Sequence, residues 1–146
     1  MREKASYALR EEILKNRAYN QKHGYKTSEI IMGDFNDTPL DPSLLSLNEL
    51  NLYLPFVELA KKGEGTTAFM DQWFLFDQML YSKDLKGEPN KTYALYKTGV
   101  FHPDYLQEEK EPFVGYPKRF YQQTRFVGGY SDHFPVYGIL IRKIEP

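Results

Sequence analysis

Two apolar runs in this chain are each joined to an acidic stretch. Glu29-Ile30-Ile31-Met32 leads into Gly33-Asp34-Phe35-Asn36-Asp37, and Ser131-Asp132-His133 leads into Phe134-Pro135-Val136-Tyr137-Gly138-Ile139-Leu140-Ile141. Short runs this rich in β-branched and aromatic side chains, with Gly and Asp at their borders, read as buried strands. Burying both requires a layered core. The carboxylates then sit at strand ends, where a rigid scaffold holds them while leaving them open to solvent.

With 146 residues, 41% of them hydrophobic and 16% aromatic, the chain has enough apolar material for one domain with a core and too much for disorder. Nineteen basic against twenty acidic residues leave a formal charge of −1, so no global field directs it to nucleic acid or an acidic membrane. Recognition of a phosphate has to be local. Cysteine is absent, which removes disulfides, thiolate catalysis and Cys-ligated zinc and leaves the compartment open. No apolar run approaches the length of a membrane span, and Met1-Arg2-Glu3-Lys4 lacks the hydrophobic core of a signal peptide. A helical pattern starts at once, without a capping residue or an introductory strand, which raises the expectation of a missing upstream segment.

The spacing of Ala5, Ala8, Leu9, Glu12, Ile13 and Arg17 predicts an amphipathic helix from Glu3 to about Tyr19, stopped by Gly24, followed by a strand from Ser28 to Met32. The prolines of Asp37-Thr38-Pro39-Leu40-Asp41-Pro42 dictate a loop, after which Ser43 is expected to cap a helix through Leu44, Leu45, Leu47 and Leu50. A short helix is expected around Phe56 to Lys62, ended by Gly63 and Gly65. Strands Thr66 to Met70 and Trp73 to Tyr81 then read as an antiparallel hairpin. Thr92 to Val100 adds another strand, Phe101 to Tyr130 a long loop rich in Pro, Gly and charge, and Phe134 to Ile141 a buried closing strand. There is no internal repeat, low-complexity tract or linker, so one domain or part of one is expected.

Asp34, Asn36 and Asp37 follow directly on a strand, where carboxylates can bind a divalent cation and an amide can orient a water or a phosphate oxygen. Taken alone, such a stretch beside a proline is more often a hydrogen-bonded turn. Asp132-His133 sets a carboxylate beside an imidazole suited to acid or base work near neutrality, although a lone His before a strand is usually structural. Asp77 interrupts the apolar sequence Phe74-Leu75-Phe76-Asp77-Gln78-Met79-Leu80, and a carboxylate there has to be solvated, paired or functional. Pairing with a histidine would fix the imidazole tautomer and stabilise its protonated form. The basic and aromatic segment Tyr116 to Arg125 suits contact with phosphates or a stacked base, and a solvated loop explains it equally well. His23 and His102 have no partner pattern.

Three segments in this order, each tied to a strand, resemble the endonuclease/exonuclease/phosphatase superfamily, whose fold is that of DNase I and the AP endonucleases. They are Ile30-Ile31-Met32-Gly33-Asp34-Phe35-Asn36-Asp37, Trp73-Phe74-Leu75-Phe76-Asp77-Gln78-Met79-Leu80 and Gly129-Tyr130-Ser131-Asp132-His133-Phe134-Pro135-Val136. The resemblance covers about residues 3 to 141. It implies an α/β fold, a four-layered α/β sandwich of mainly antiparallel sheet flanked by helices, and a phosphoesterase dependent on Mg²⁺ or Mn²⁺. Asp34 would position or deprotonate the attacking water, Asn36 would hold that water and a phosphate oxygen, and Asp132 would bind the metal. His133, protonated and supported by Asp77, would contact the scissile phosphate, with Asp37 and Ser131 one step further out.

The resemblance also implies what is missing. Members carry an early Asn, a metal-binding Glu and a central His or Asn-His motif in a first half, and nothing in residues 1 to 33 supplies them. The expected unit is therefore the C-terminal half of the domain over residues 1 to 146. Its exposed sheet would be covered by the missing N-terminal half or by self-association. The substrate is expected to be a phosphate ester of nucleic acid, inositol or a phospholipid headgroup, since one fold serves all three. The rival expectation is a catalytically silent fragment or interaction module.

Overall fold

A computed structural model describes residues 2–89 and 93–144. Helix α1 (Arg2–Lys22) ends where the Tyr25 N–H reaches back to the Asn20 carbonyl at 2.9 Å and the Gly24 N–H to the Gln21 carbonyl at 3.1 Å, a paired closure over Gly24. Only Ile13 of this helix is fully buried. Its lower half is fastened by Arg17, whose Nε donates to both Glu29 carboxylate oxygens at 3.0 and 2.9 Å and whose Nη1 donates to the Leu50 carbonyl at 2.8 Å. That fork draws the helix onto the start of strand β1 (Ile30–Asp34) and onto the 3₁₀ turn Ser46–Leu50.

Helix α2 (Pro42–Leu45) runs into that turn, and strand β2 (Leu52–Tyr53) and helix α3 (Phe56–Lys61) follow. Next come β3 (Thr67–Phe69), β4 (Gln72–Phe74), β5 (Asp77–Ser82), β6 (Ala94–Val100), β7 (Tyr121–Gln122), β8 (Arg125–Phe126) and β9 (Val136–Ile141). All pairing is antiparallel: β1-β5-β2 form one sheet, while β3-β4, β6-β9 and β7-β8 form pairs. Strand β5 lies in the centre and is buried on both sides. Leu80 packs with Leu44, Leu47, Leu50, Leu52 and Ile13 on the helix side, and Met79 and Tyr81 pack towards Leu95, Val100, Val136 and Leu140 on the β6-β9 side. The result is a helical layer, a sheet and a second sheet, the mixed α/β architecture expected. Among the described residues no helix is long and apolar enough to cross a membrane.

Several boundaries differ from the sequence expectation, each for a local reason. The single strand Trp73 to Tyr81 is two strands, because Phe74 pairs with Thr67 of β3 whereas Asp77 pairs with Asp34 of β1. Between them Leu75 turns into the core, 1% exposed, and the chain changes sheets. The hairpin β3-β4 is present, with Met70 and Asp71 both at positive φ in its turn, +48° and +59°, as a two-residue hairpin loop requires.

Strand β1 begins two residues later than expected and is not buried. It lies at the sheet edge, and the β6-β9 layer covers Met79 and Tyr81 but leaves their cross-strand neighbours Met32 and Ile30 open, Met32 at 64% exposure. Strand β9 starts after Pro135 rather than at Phe134. The Phe134 ring instead stacks on Trp73, centroids 6.0 Å apart, and with β6 as the strand's only partner among the described residues Ile139 and Ile141 stay exposed. The helix cap falls on Asp41, with Pro42 at the first helical position, and the Ser43 hydroxyl donates to the Asp37 carboxylate at 2.5 Å instead. The strand expected from Thr92 runs from Ala94, and Thr92 itself lies outside the described residues. The expected long loop Phe101 to Tyr130 is built up by the turn Asp104–Leu106 and the β7-β8 hairpin, where Phe120, Tyr121 and Phe126 pack on one another.

Candidate active site

The register of β1 against β5 places Asp34 directly opposite Asp77. Cross-strand neighbours have Cβ atoms about 5 Å apart and share a face, so two acidic motifs distant in sequence become one cluster. Beyond β1 the chain turns at once. The Asp34 carboxylate accepts the Asn36 N–H at 2.8 Å, Asn36 takes a left-handed φ of +51°, and the Phe35 N–H donates to the Phe76 carbonyl at 2.9 Å. Asp34 and Asn36 are exposed at this end of the sheet.

Asp37 does not stand beside them. It is buried, its carboxylate receives Ser43 and Arg2, and its carbonyl accepts the Gln78 amide at 2.8 Å. Gln78, 1% exposed, thus fixes the acidic turn from inside the core. A glutamine within an apolar strand was the signal for that role, and sequence reasoning passed over it.

His133 completes the cluster. Its Nδ1 lies 2.6 Å from the Asp77 Oδ2, both side chains half-buried, and among the described residues Nε2 takes no hydrogen bond. The hydrogen bond to Asp77 raises the imidazole above its usual range; burial opposes it, and the charges of Asp77, Asp132 and Asp34 add to the rise. For Asp77 burial is the largest single influence and pushes upward. Hydrogen bonds from His133 and Thr66 and the charge of His133 outweigh it, so the carboxyl stays below its usual range. Both shifts favour the charged form of each partner.

Stability should follow these two groups. The raised histidine contributes fully below its unfolded pKa of about 6.5 and loses that contribution as pH rises through the higher folded value. The lowered aspartate contributes above its unfolded pKa of about 3.9 and loses it as pH falls through the lower folded value. Melting temperatures of the wild type and Asp77→Asn are expected to differ most between about pH 4 and 6.5 and to converge on both sides. Curves that stay parallel across pH would show that the pair adds no pH-dependent stability.

A third segment joins the two halves of the pair. The Thr66 hydroxyl accepts the backbone N–H groups of Phe76 and Asp77, each at 3.2 Å, while its carbonyl accepts the Phe134 N–H at 2.7 Å. The neighbouring Thr67 hydroxyl donates to the Asp132 carbonyl at 2.9 Å, and the Ser131 hydroxyl accepts the His133 N–H at 3.1 Å. Thr66 is wholly buried. Neither threonine stood out in the sequence, where Gly65-Thr66-Thr67 reads only as the entry to a strand. Thr66→Val keeps the shape and strands two part-buried N–H groups, which should cost about 1–3 kcal/mol in urea unfolding. A loss below about 1 kcal/mol would mean that water replaces the hydroxyl.

A pocket of about 320 Å³ opens beside the pair, its lining made of Asp77, Ser131 and His133 together with Leu106, Tyr130, Phe134 and Pro135. Asp132 is exposed next to it. Among the described residues no three His, Asp or Glu side chains converge as a metal-binding group. The oxygen donors at hand, the Asp34 and Asp132 carboxylates, are the type a hard cation takes when water and substrate supply its other ligands.

A family model described as the Endonuclease/Exonuclease/phosphatase family matches residues 3–143. The chain belongs to that family. No curated protein and no solved structure matches it. Membership supports a hydrolase of the phosphoesterase or nuclease type, from a family that acts on phosphate esters and generally uses divalent metals. In this endonuclease/exonuclease/phosphatase chain the fold gathers Asp34, Asp77, Asp132 and His133 at one end of the β1-β5 pair. Asn36 lies on the adjoining turn, Ser131 braces the histidine backbone and Asp37 is drawn into the core.

Proposed function

We propose that this chain is the C-terminal half of a longer domain that hydrolyses a phosphodiester or phosphomonoester by in-line attack of water, with Mg²⁺ or Mn²⁺. The observation that carries the reading is the His133–Asp77 pair at 2.6 Å with Asp34 in register beside it. An imidazolium offers a charge-assisted hydrogen bond to a non-bridging phosphate oxygen through Nε2, and that bond strengthens as negative charge builds on pentacoordinate phosphorus. Asp34 orients the attacking water and takes its proton, and Asn36 holds the water and a phosphate oxygen. Asp132 is the residue that would hold the divalent cation, which when bound supplies Lewis-acid stabilisation of the phosphate oxygens. The uncovered inner side chains of β1, Ile30 and Met32, support the view that another segment completes the sandwich.

One observation favours a second reading, a catalytically silent module: the described residues alone do not gather three metal-binding side chains. Calorimetric titration with Mg²⁺ separates the two. Weak binding by residues 1–146 that becomes tight in the full-length protein supports the hydrolase, and no binding in either supports the silent module. In the full-length protein, Asp34→Asn should abolish Mg²⁺-dependent hydrolysis of bis(p-nitrophenyl) phosphate. Retained turnover would remove the mechanism.

A further inference from the structure

The pocket beside His133 has a wall that phosphate chemistry does not use. Among its lining residues the only charged groups are Asp77 and His133, already committed to each other, and no lysine or arginine is present. Additional phosphates on a substrate would meet the Asp77 carboxylate there without the cations that such groups need. The rest of the lining is largely apolar or aromatic and includes Leu106, Tyr130 and Pro135. Tyr130 is 62% exposed, and its ring meets that of Tyr105, also exposed, edge to face at 6.4 Å and 84°.

This wall is built rather than incidental. The Lys118 N–H donates to the Leu106 carbonyl at 2.8 Å, and the Lys118 carbonyl accepts the N–H groups of Tyr130 at 2.6 Å and Ser131 at 3.3 Å. One residue thus ties both apolar sides to each other and to the loop that carries His133. A volume of about 320 Å³ holds one ring system and is too small for a pair of acyl chains.

We propose that this pocket receives the base of a nucleotide ester, stacked on Tyr130 while its phosphate lies at His133, and that Tyr130 is thereby a specificity-determining residue. The proposal rests on the reading of His133 as the phosphate-contacting group. It excludes multiply phosphorylated rings from the pocket, because the lining offers aromatic and apolar groups and no lysine or arginine.

The test compares two diesters with one leaving group in the full-length protein, thymidine 5′-(p-nitrophenyl phosphate) and methyl p-nitrophenyl phosphate. Tyr130→Ala should lower the ratio of their kcat/KM values about tenfold, and Tyr130→Phe, which keeps the stacking face, should preserve it. An unchanged ratio in Tyr130→Ala overturns the proposal. Binding is read separately by the NMR signals of the Tyr130 ring: thymidine 5′-monophosphate should shift them, and inositol 1,4-bisphosphate should not compete. If hydrolysis depends on His133 while the nucleotide leaves Tyr130 undisturbed, the pocket assignment fails alone. If the ring shifts while His133→Ala retains full turnover, the hydrolytic reading fails instead, and this proposal falls with it. A dinucleotide that competes as well as the monophosphate assigns the pocket to strand ends, one that does not assigns it to free nucleotides, and both uphold a base-binding pocket.

Discussion

Replacing His133 by Ala in the full-length protein is expected to lower kcat about 10³-fold, the scale of losing a positioned acid group from a transition state. The size follows from what the side chain holds at once: a carboxylate at 2.6 Å on Nδ1 and the charges of Asp132 and Asp34 nearby, all favouring the protonated ring. Asp77→Asn probes the same group at one remove. Its loss removes the main cause of the raised histidine pKa, so the alkaline limb of the pH–rate profile should move to lower pH, with the deficit greatest above neutrality. A tenfold or smaller effect of His133→Ala, or an alkaline limb unmoved by Asp77→Asn, would assign the pair to structure alone.

Gly129→Ala is expected to be the most damaging small substitution in the loop that carries the histidine. A Cβ there would come within 2.1 Å of the Arg119 carbonyl oxygen and 2.2 Å of the Lys118 carbonyl oxygen. Both obstacles are backbone, so no side chain can swing aside. The Gly129 N–H donates to that same Arg119 oxygen at 3.1 Å, and the Lys118 carbonyl also accepts Tyr130 and Ser131. Relieving the clash therefore pulls the Lys118–Arg119 backbone and the Gly129 loop apart and carries Asp132 and His133 with it. A loss of about 3 kcal/mol is expected in urea unfolding, together with disappearance of the slowly exchanging His133 Nδ1–H resonance in NMR spectra. A variant with unchanged stability and an intact resonance would show that the two segments can separate without disturbing the site.

Much of the site was legible because its residues break local expectation. Asp77 in an apolar strand and Asp34 at the end of another are costly unless used, and the order of the three segments tied them to one family. What could not be read was pairing. The break at Leu75 and Phe76 depends on β3 and β1 taking successive partners, and the backbone N–H groups there are received by Thr66, a residue with no distinguishing pattern. Met32 looked buried because composition reports what a strand can cover, whereas its exposure depends on how far the neighbouring sheet extends. Gly129 is similar: a glycine before Tyr130 suggests a turn, and only the approach of the Lys118–Arg119 backbone shows that its bareness is required. Pro135, by contrast, was a readable signal that β9 starts after it, since proline donates no ladder hydrogen bond.

The bonds that close the site join positions far apart along the chain, 56 residues for Asp77 with His133 and 65 for Thr67 with Asp132. In a chain made from its N-terminus the later partner of each bond is among the last residues to be synthesised. The helical layer and the β1-β5-β2 sheet can therefore assemble on the ribosome well before the imidazole arrives. The His133–Asp77 pair would close as a final event with the docking of β9, so that nascent or prematurely terminated chains would hold the β1-β5-β2 sheet without the pair.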